Sequence, residues 1–71
     1  MNNLIENNGF DLTKREIEIL KYIADGKTSK LIGRVLFISK QTVDKHRKNM
    51  LKKTGYRNSM ELVQYYLRKF L

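Results

Sequence analysis

The sequence predicts an all-α fold, a compact domain of four short helices. Three observations carry this. Proline is absent from all 71 residues. The β-branched residues are scattered through charged, helix-favouring sequence and do not gather into alternating runs. Capping residues followed by apolar positions at helical spacing recur four times along the chain.

Met1 to Phe10 is Asn-rich and weakly patterned. Residues 1–10 read as a flexible N-terminal lead-in and 11–71 as the folded domain. Leu4 and Ile5 in the lead-in either cover the core or belong to a linker.

Helix 1 starts at Thr13-Lys14-Arg15-Glu16, a capping box in which the Thr13 hydroxyl accepts from the Glu16 amide and the Glu16 carboxylate reaches back. Leu12 and Ile17 flank the cap as a hydrophobic staple. Ile17, Leu20, Ile23 and Ala24 repeat at helical spacing and are expected on the core. Gly26 supplies the left-handed residue that ends the helix.

Helix 2 is capped by Thr28 or Ser29 and runs to about Leu36, with Leu31, Ile32, Val35 and Leu36 apolar. Gly33 inside it costs roughly 1 kcal/mol against alanine, which points to a close approach by the following helix or to a plain propensity defect. Phe37-Ile38-Ser39 is a three-residue link, and Ser39 is placed to cap the next helix. Two short helices joined so tightly cross at a large angle, the helix-turn-helix arrangement. Phe37 stands where such turns often prefer glycine, so the turn is strained or of a different type.

Helix 3 runs from Ser39 to a stop at Gly55. At about 100° per residue, Val43, His46, Met50 and Thr54 share a narrow inward arc, while Gln41, Lys45, Lys48 and Lys52 lie opposite and Asp44 at that stripe's edge. His46 is expected to be packed and hydrogen-bonded. Tyr56 is expected to fold back on Leu51 in a Schellman end. Helix 4 starts at Asn58 or Ser59, with Glu61 spaced as a capping partner. Leu62, Val63, Tyr66 and Phe70 form its core face. A second stripe, Met60, Gln64, Leu67 and Leu71, calls for another neighbour: a second copy of the helix, the N-terminal segment or another domain.

Composition narrows the function. The net charge is +8, and between Lys30 and Arg57 nine Lys/Arg face one acid, Asp44, whereas the remainder balances. A local patch of that size is the footprint of a polyanion binder; the alternative is a solvated face that aids solubility. Cysteine is absent and His46 is the lone histidine, so no zinc or redox site can be assembled and no cofactor or small-molecule ligand is expected. The few acids are dispersed and no Gly-rich phosphate loop appears, which argues against an enzyme. No signal peptide or membrane span is recognisable, and a cytoplasmic protein is expected.

Leu12-Thr13-Lys14-Arg15-Glu16, then Leu20, Ala24, Gly26, Thr28 to Ile32, Leu36 to Ser39, Thr42-Val43, His46-Arg47, Asn49, Lys53 and Gly55 resemble the LuxR-type helix-turn-helix of the LuxR/FixJ/GerE group. The resemblance covers about residues 12–66 in unbroken register. It implies a four-helix DNA-binding domain that regulates transcription, with helix 3 in the major groove of double-stranded DNA and helix 4 as the homodimer contact; RNA polymerase is a compatible further partner. Carried over by position, it makes Asp44, Lys45 and Lys48 base contacts, joined by Gln41 from the outward stripe. Lys30, Thr42, Arg47, Asn49 and Lys53 match backbone-contact or supporting positions, with Lys52 beside them. Met60, Gln64, Leu67 and Leu71 are the dimer-interface candidates. Gly33 matches a position the family fills with a small residue, usually alanine.

Three departures matter. Asp44 stands where a basic residue is common, and its carboxylate suits the amino group of cytosine. Tyr66 replaces a small residue near the dimer contact. Thr54 replaces a leucine and thins the core at the end of helix 3. Met1 fits a complete small regulator as well as the C-terminal effector domain of a longer one.

Two other classes compete with this reading. A protein-interaction adaptor would use the helix 4 stripe, with its charge meeting an acidic partner. A basic amphipathic membrane binder would need a broad insertion face, but the apolar arc of helix 3 is narrow and contains His46 and Thr54.

Overall fold

Four side chains start four helices. The computed structural model describes residues 10–71, so the expectations for Leu4 and Ile5 lie outside the described residues. Helix α1 spans Lys14–Ala24, α2 Ser29–Leu36, α3 Lys40–Thr54 and α4 Ser59–Phe70. Thr13, Thr28, Ser39 and Asn58 are the N-caps, accepting from the amides of Glu16, Leu31, Thr42 and Glu61 at 3.1, 3.2, 3.0 and 3.1 Å. Each cap satisfies an otherwise orphaned amide and contributes about 1 kcal/mol. At α1 the capping box is complete, because the Glu16 carboxylate accepts the Thr13 amide at 2.9 Å. At α4 the reciprocal bond is shifted by one residue, and Glu61 accepts from the Arg57 amide at 2.8 Å.

The helix ends differ in chemistry. Gly26, at φ +88°, closes α1 in a Schellman motif, with the Lys27 amide on the Tyr22 carbonyl at 3.0 Å and the Gly26 amide on the Ile23 carbonyl at 2.9 Å. Gly55 ends α3 with a single bond to the Leu51 carbonyl at 2.8 Å, so the Schellman end expected there is corrected to the simpler left-handed cap. The competing partner is Thr54. Its hydroxyl donates to the Met50 carbonyl at 2.8 Å and accepts the Tyr56 amide at 3.2 Å, drawing that amide away from the helix.

Leu12, Ile19, Leu20, Ile32, Val43, Met50 and Leu62 are fully buried, and Tyr65 and Tyr66 nearly so. α1 touches α2, α3 and α4. A helix with three neighbours buries a wide arc, which is why Ile19 is in the core and Ile17, Ile23 and Ala24 are only partly covered. α4 likewise turns Tyr65 as well as Tyr66 inward, while Val63 and Phe70 are half-buried. Tyr65 stacks edge-on against Phe10 with centroids 5.1 Å apart, and Phe10 meets Tyr56 at 5.6 Å. Phe10 therefore packs with the helices, although the sequence reading put it in the lead-in. Burial holds the Tyr65 hydroxyl above its ordinary pKa, with Tyr56 adding to the shift.

The α2–α3 connection fixes the recognition geometry. Phe37 adopts φ 60°, ψ 41°, the left-handed conformation glycine usually supplies, and its side chain is 94% exposed. The turn folds back over Gly33, whose carbonyl accepts the Ile38 amide at 2.9 Å. A Cβ on Gly33 would stand 2.6 Å from the Ile38 carbonyl oxygen and 3.3 Å from the Ser39 carbonyl carbon. The close approach expected from the sequence is made by the turn backbone. Gly33 is the residue that lets the turn lie flat on α2. Among the described residues no helix is long and apolar enough to cross a membrane.

Candidate nucleic-acid interface

α3 carries little apolar surface because it buries only one narrow seam. Val43 and Met50 are fully buried, and His46, Asn49 and Thr54 are half-buried beside them. The His46 side chain makes no hydrogen bond among the described residues, so the packed half of its expectation holds and the bonded half does not. The opposite side of α3 is open. Gln41, Lys45, Lys48 and Lys52 are exposed along it.

Gln41, Asp44, Lys45 and Lys48 line one shallow cleft of about 300 Å³. The four base-contact candidates are thus brought to a single place. Asp44 is an anion among cations there, and Lys40 accounts for its charge state. The Lys40 ammonium lies 2.7 Å from Asp44 Oδ2, one helical turn back. That hydrogen bond, aided by the Ser29 hydroxyl, holds the Asp44 carboxyl below its ordinary pKa of 3.8. An exposed pair of this kind adds little stability. Its consequence is chemical: at neutral pH Asp44 is an acceptor only. Sequence reading did not nominate Lys40; its i, i+4 spacing to Asp44 was the available signal.

The supporting residues divide into two groups. Lys30, Thr42 and Lys52 are exposed, and the Thr42 hydroxyl shares a 2.9 Å hydrogen bond with the capping hydroxyl of Ser39. Arg47 and Lys53 are engaged by other groups of the protein. Arg47 spans two helix starts, donating from Nη1 to Ser29 Oγ at 3.0 Å and from Nη2 to Ser59 Oγ at 2.7 Å. Its planar fork ties α3 to the first turns of α2 and α4 at once. Lys53 donates to Glu16 Oε1 at 2.8 Å and to the Asp11 carbonyl at 3.3 Å. Ser29 and Ser59 are anchors that the sequence offered only as cap alternatives, because their partner lies 18 and 12 residues away.

On α4 the side chains of Met60, Gln64, Leu67 and Leu71 all face solvent. Tyr66 does not join them. It is 9% exposed, stacked on Phe70 at 5.2 Å, and with Ile17, Lys14 and Lys21 it lines a groove between α1 and α4. The bulky residue that departs from the resembled pattern is therefore turned away from the outward stripe.

Comparison with known proteins agrees with this geometry. Residues 11–66 match the profile of the luxR family of bacterial regulatory proteins, GerE. The response regulatory protein YgeK of Escherichia coli is 49% identical over 57 residues, covering 80% of this chain and 39% of that protein. The oxygen regulatory protein NreC of Staphylococcus aureus is 45% identical over 60 residues, covering 84% of this chain and 28% of that protein. The chain thus spans between a quarter and two fifths of the length of these relatives. With the four-helix architecture, the charged outward face of α3 and this match, the chain belongs to the LuxR family of bacterial regulatory proteins, as a DNA-binding domain of transcription regulators and not an enzyme.

Proposed function

We propose that the chain recognises a specific sequence of double-stranded DNA by laying the outward face of α3 in the major groove. It acts in the cytoplasm as a homodimer on an inverted repeat. The observation that carries this reading is the single cleft shared by Gln41, Asp44, Lys45 and Lys48, at the centre of the local charge excess. Lysine donors suit the O6 and N7 acceptors of guanine, and the Asp44 carboxylate suits the amino group of cytosine. Lys30, Thr42, Asn49 and Lys52 serve phosphates and set the register. Arg47 and Lys53 support the interface from behind, through their bonds to Ser29, Ser59 and Glu16.

Dimerisation uses the exposed α4 stripe, which places two copies of α3 about 34 Å apart on one face of the duplex. RNA polymerase is a further partner compatible with that arrangement. Selection of bound sites from random duplex DNA tests the reading. The expected product is a two-fold symmetric site with G·C pairs opposite Lys45, Lys48 and Asp44. An unpaired half-site overturns the dimer, and recovery of no enriched site overturns sequence-specific binding and favours an adaptor role for the α4 stripe.

A further inference from the structure

Of the side chains that line the cleft on α3, one is held and the others are free. Gln41, Lys45 and Lys48 are exposed and make no side-chain hydrogen bond or ion pair among the described residues. Asp44 is half-buried and engaged by residues of two helices. Lys40, one turn back on α3, sets its ammonium 2.7 Å from Asp44 Oδ2. Ser29, the first residue of α2 and 8% exposed, adds a hydrogen bond from its hydroxyl to the same carboxylate.

A third residue sets the direction of the Ser29 bond. A serine hydroxyl offers one donor and about two acceptor positions. Arg47 Nη1 donates to Ser29 Oγ at 3.0 Å, so the oxygen is already an acceptor there. Its own proton is left for an acceptor, and the Asp44 carboxylate provides one. Arg47 is itself fixed, because its Nη2 donates to Ser59 Oγ at 2.7 Å at the start of α4. The bonds therefore run in one sense, from the Arg47 guanidinium through the Ser29 hydroxyl to Asp44. A hydroxyl that accepts from a cation is polarised and donates more strongly.

An acid on a DNA-reading face is otherwise a liability. An unrestrained carboxylate on the open side of α3 would be repelled by phosphates, and freezing it on binding would cost side-chain entropy. Held by Lys40 and Ser29, Asp44 is compensated in charge and oriented before any duplex arrives. With about four acceptor positions, it keeps capacity for the amino group of a base. Lys45 and Lys48 can swing between a guanine and a phosphate, whereas Asp44 has no such freedom.

We infer that Ser29 and Lys40 are positioning residues for base recognition: they clamp the Asp44 carboxylate in one orientation, and discrimination at the base pair under Asp44 depends on that clamp. Neither has to touch the base. This inference rests on the reading of Asp44 as a base contact and deepens it, assigning the sharpness of that contact to a buried hydroxyl of α2 and to the lysine one turn back on α3.

Competition binding on the full chain tests it, with duplexes carrying each possible base pair at the position under Asp44. Ser29→Ala and Lys40→Met are each measured in the parent and in an Asp44→Asn background. In the parent, each should lower the preference at that pair by roughly fivefold, and by more than at any other pair of the site. In the Asp44→Asn background neither should change the preference there, because the group they position is gone. A residue that only supports the fold, or only meets phosphate, would instead weaken all sequences alike. Thr28 still caps α2 in Ser29→Ala, and circular dichroism checks that the variant folds. Should it not fold, Lys40→Met, at an exposed position, carries the comparison. Preference that survives either substitution in a folded variant, an equal loss at every base pair, or the same loss in the Asp44→Asn background overturns the clamp. If Asp44→Asn by itself leaves the preference intact, the reading of Asp44 as a base contact fails, and the clamp with it.

Discussion

Lys53 Nζ lies 2.8 Å from Glu16 Oε1, the atom that already accepts the Thr13 amide at 2.9 Å. Glu16 is 3% exposed, so a buried carboxylate joins the start of α1 to the end of the recognition helix. Lys53→Ala leaves that carboxylate short of a donor. The expected loss is about 1–2 kcal/mol, reduced from the buried-pair range because the lysine end is open to water. In a domain of this size that lowers the melting temperature by several degrees, about 4–8 °C per kcal/mol. Thermal unfolding followed by circular dichroism checks it. An unchanged melting temperature with weaker DNA binding would instead make Lys53 a phosphate contact.

Gly33→Ala places a methyl 2.6 Å from the Ile38 carbonyl oxygen. The clash is with backbone, which has little room to give, and costs about 1–3 kcal/mol, more than the roughly 1 kcal/mol alanine recovers in helix propensity. Relief requires the turn to lift and α3 to tilt. The DNA affinity of the folded variant should therefore fall beyond what its stability loss explains, as measured by titration well below its melting temperature.

Phe37→Asn should stabilise the domain. The left-handed backbone at Phe37 costs an L-residue about 1 kcal/mol, asparagine tolerates it better, and a side chain 94% exposed gives up almost no packing. A gain of about 0.5–1 kcal/mol in urea unfolding is expected.

Asp44 gives a pH prediction whose sign follows from its lowered pKa. A depressed carboxylate keeps its charge, and its pair with Lys40, above its ordinary value of 3.8 and loses both only as pH falls through the lower folded value. Preference at the base pair Asp44 contacts should thus be the same at pH 5 and pH 7.5. Asp44→Asn, an amide that donates as well as accepts, should relax it at both. Competition binding with sites differing at that pair provides the measurement.

Caps, helix order and the outward stripe of α3 were legible because each depends on residues three or four apart. Thr13 with Glu16, Ser39 with Thr42 and Gln41 with Lys45 and Lys48 are local relationships that one helix enforces. Ile19 and Tyr65 escaped because a helical wheel assumes one buried face, whereas α1 has three neighbours and α4 packs on α1, α3 and Phe10. The serine partners of Arg47 escaped for a different reason. The charge and position of Arg47 suit a phosphate, and nothing in local spacing reveals two serine hydroxyls brought to it from α2 and α4. The type of turn at Phe37 was open in sequence, and the structure accounts for its left-handed backbone while leaving its ring uncovered by the described residues.

The most direct measurement is the affinity of the chain for its selected site and for a scrambled duplex across a range of salt concentrations, repeated with Lys45→Ala. The account predicts a steep fall of affinity with salt for both duplexes and a preference for the selected site of about a thousandfold or more. It predicts that Lys45→Ala costs about 1–3 kcal/mol on the selected site and little on the scrambled one. Equal affinity for both duplexes, or binding that does not respond to salt, would contradict the claim that the outward face of α3 reads DNA.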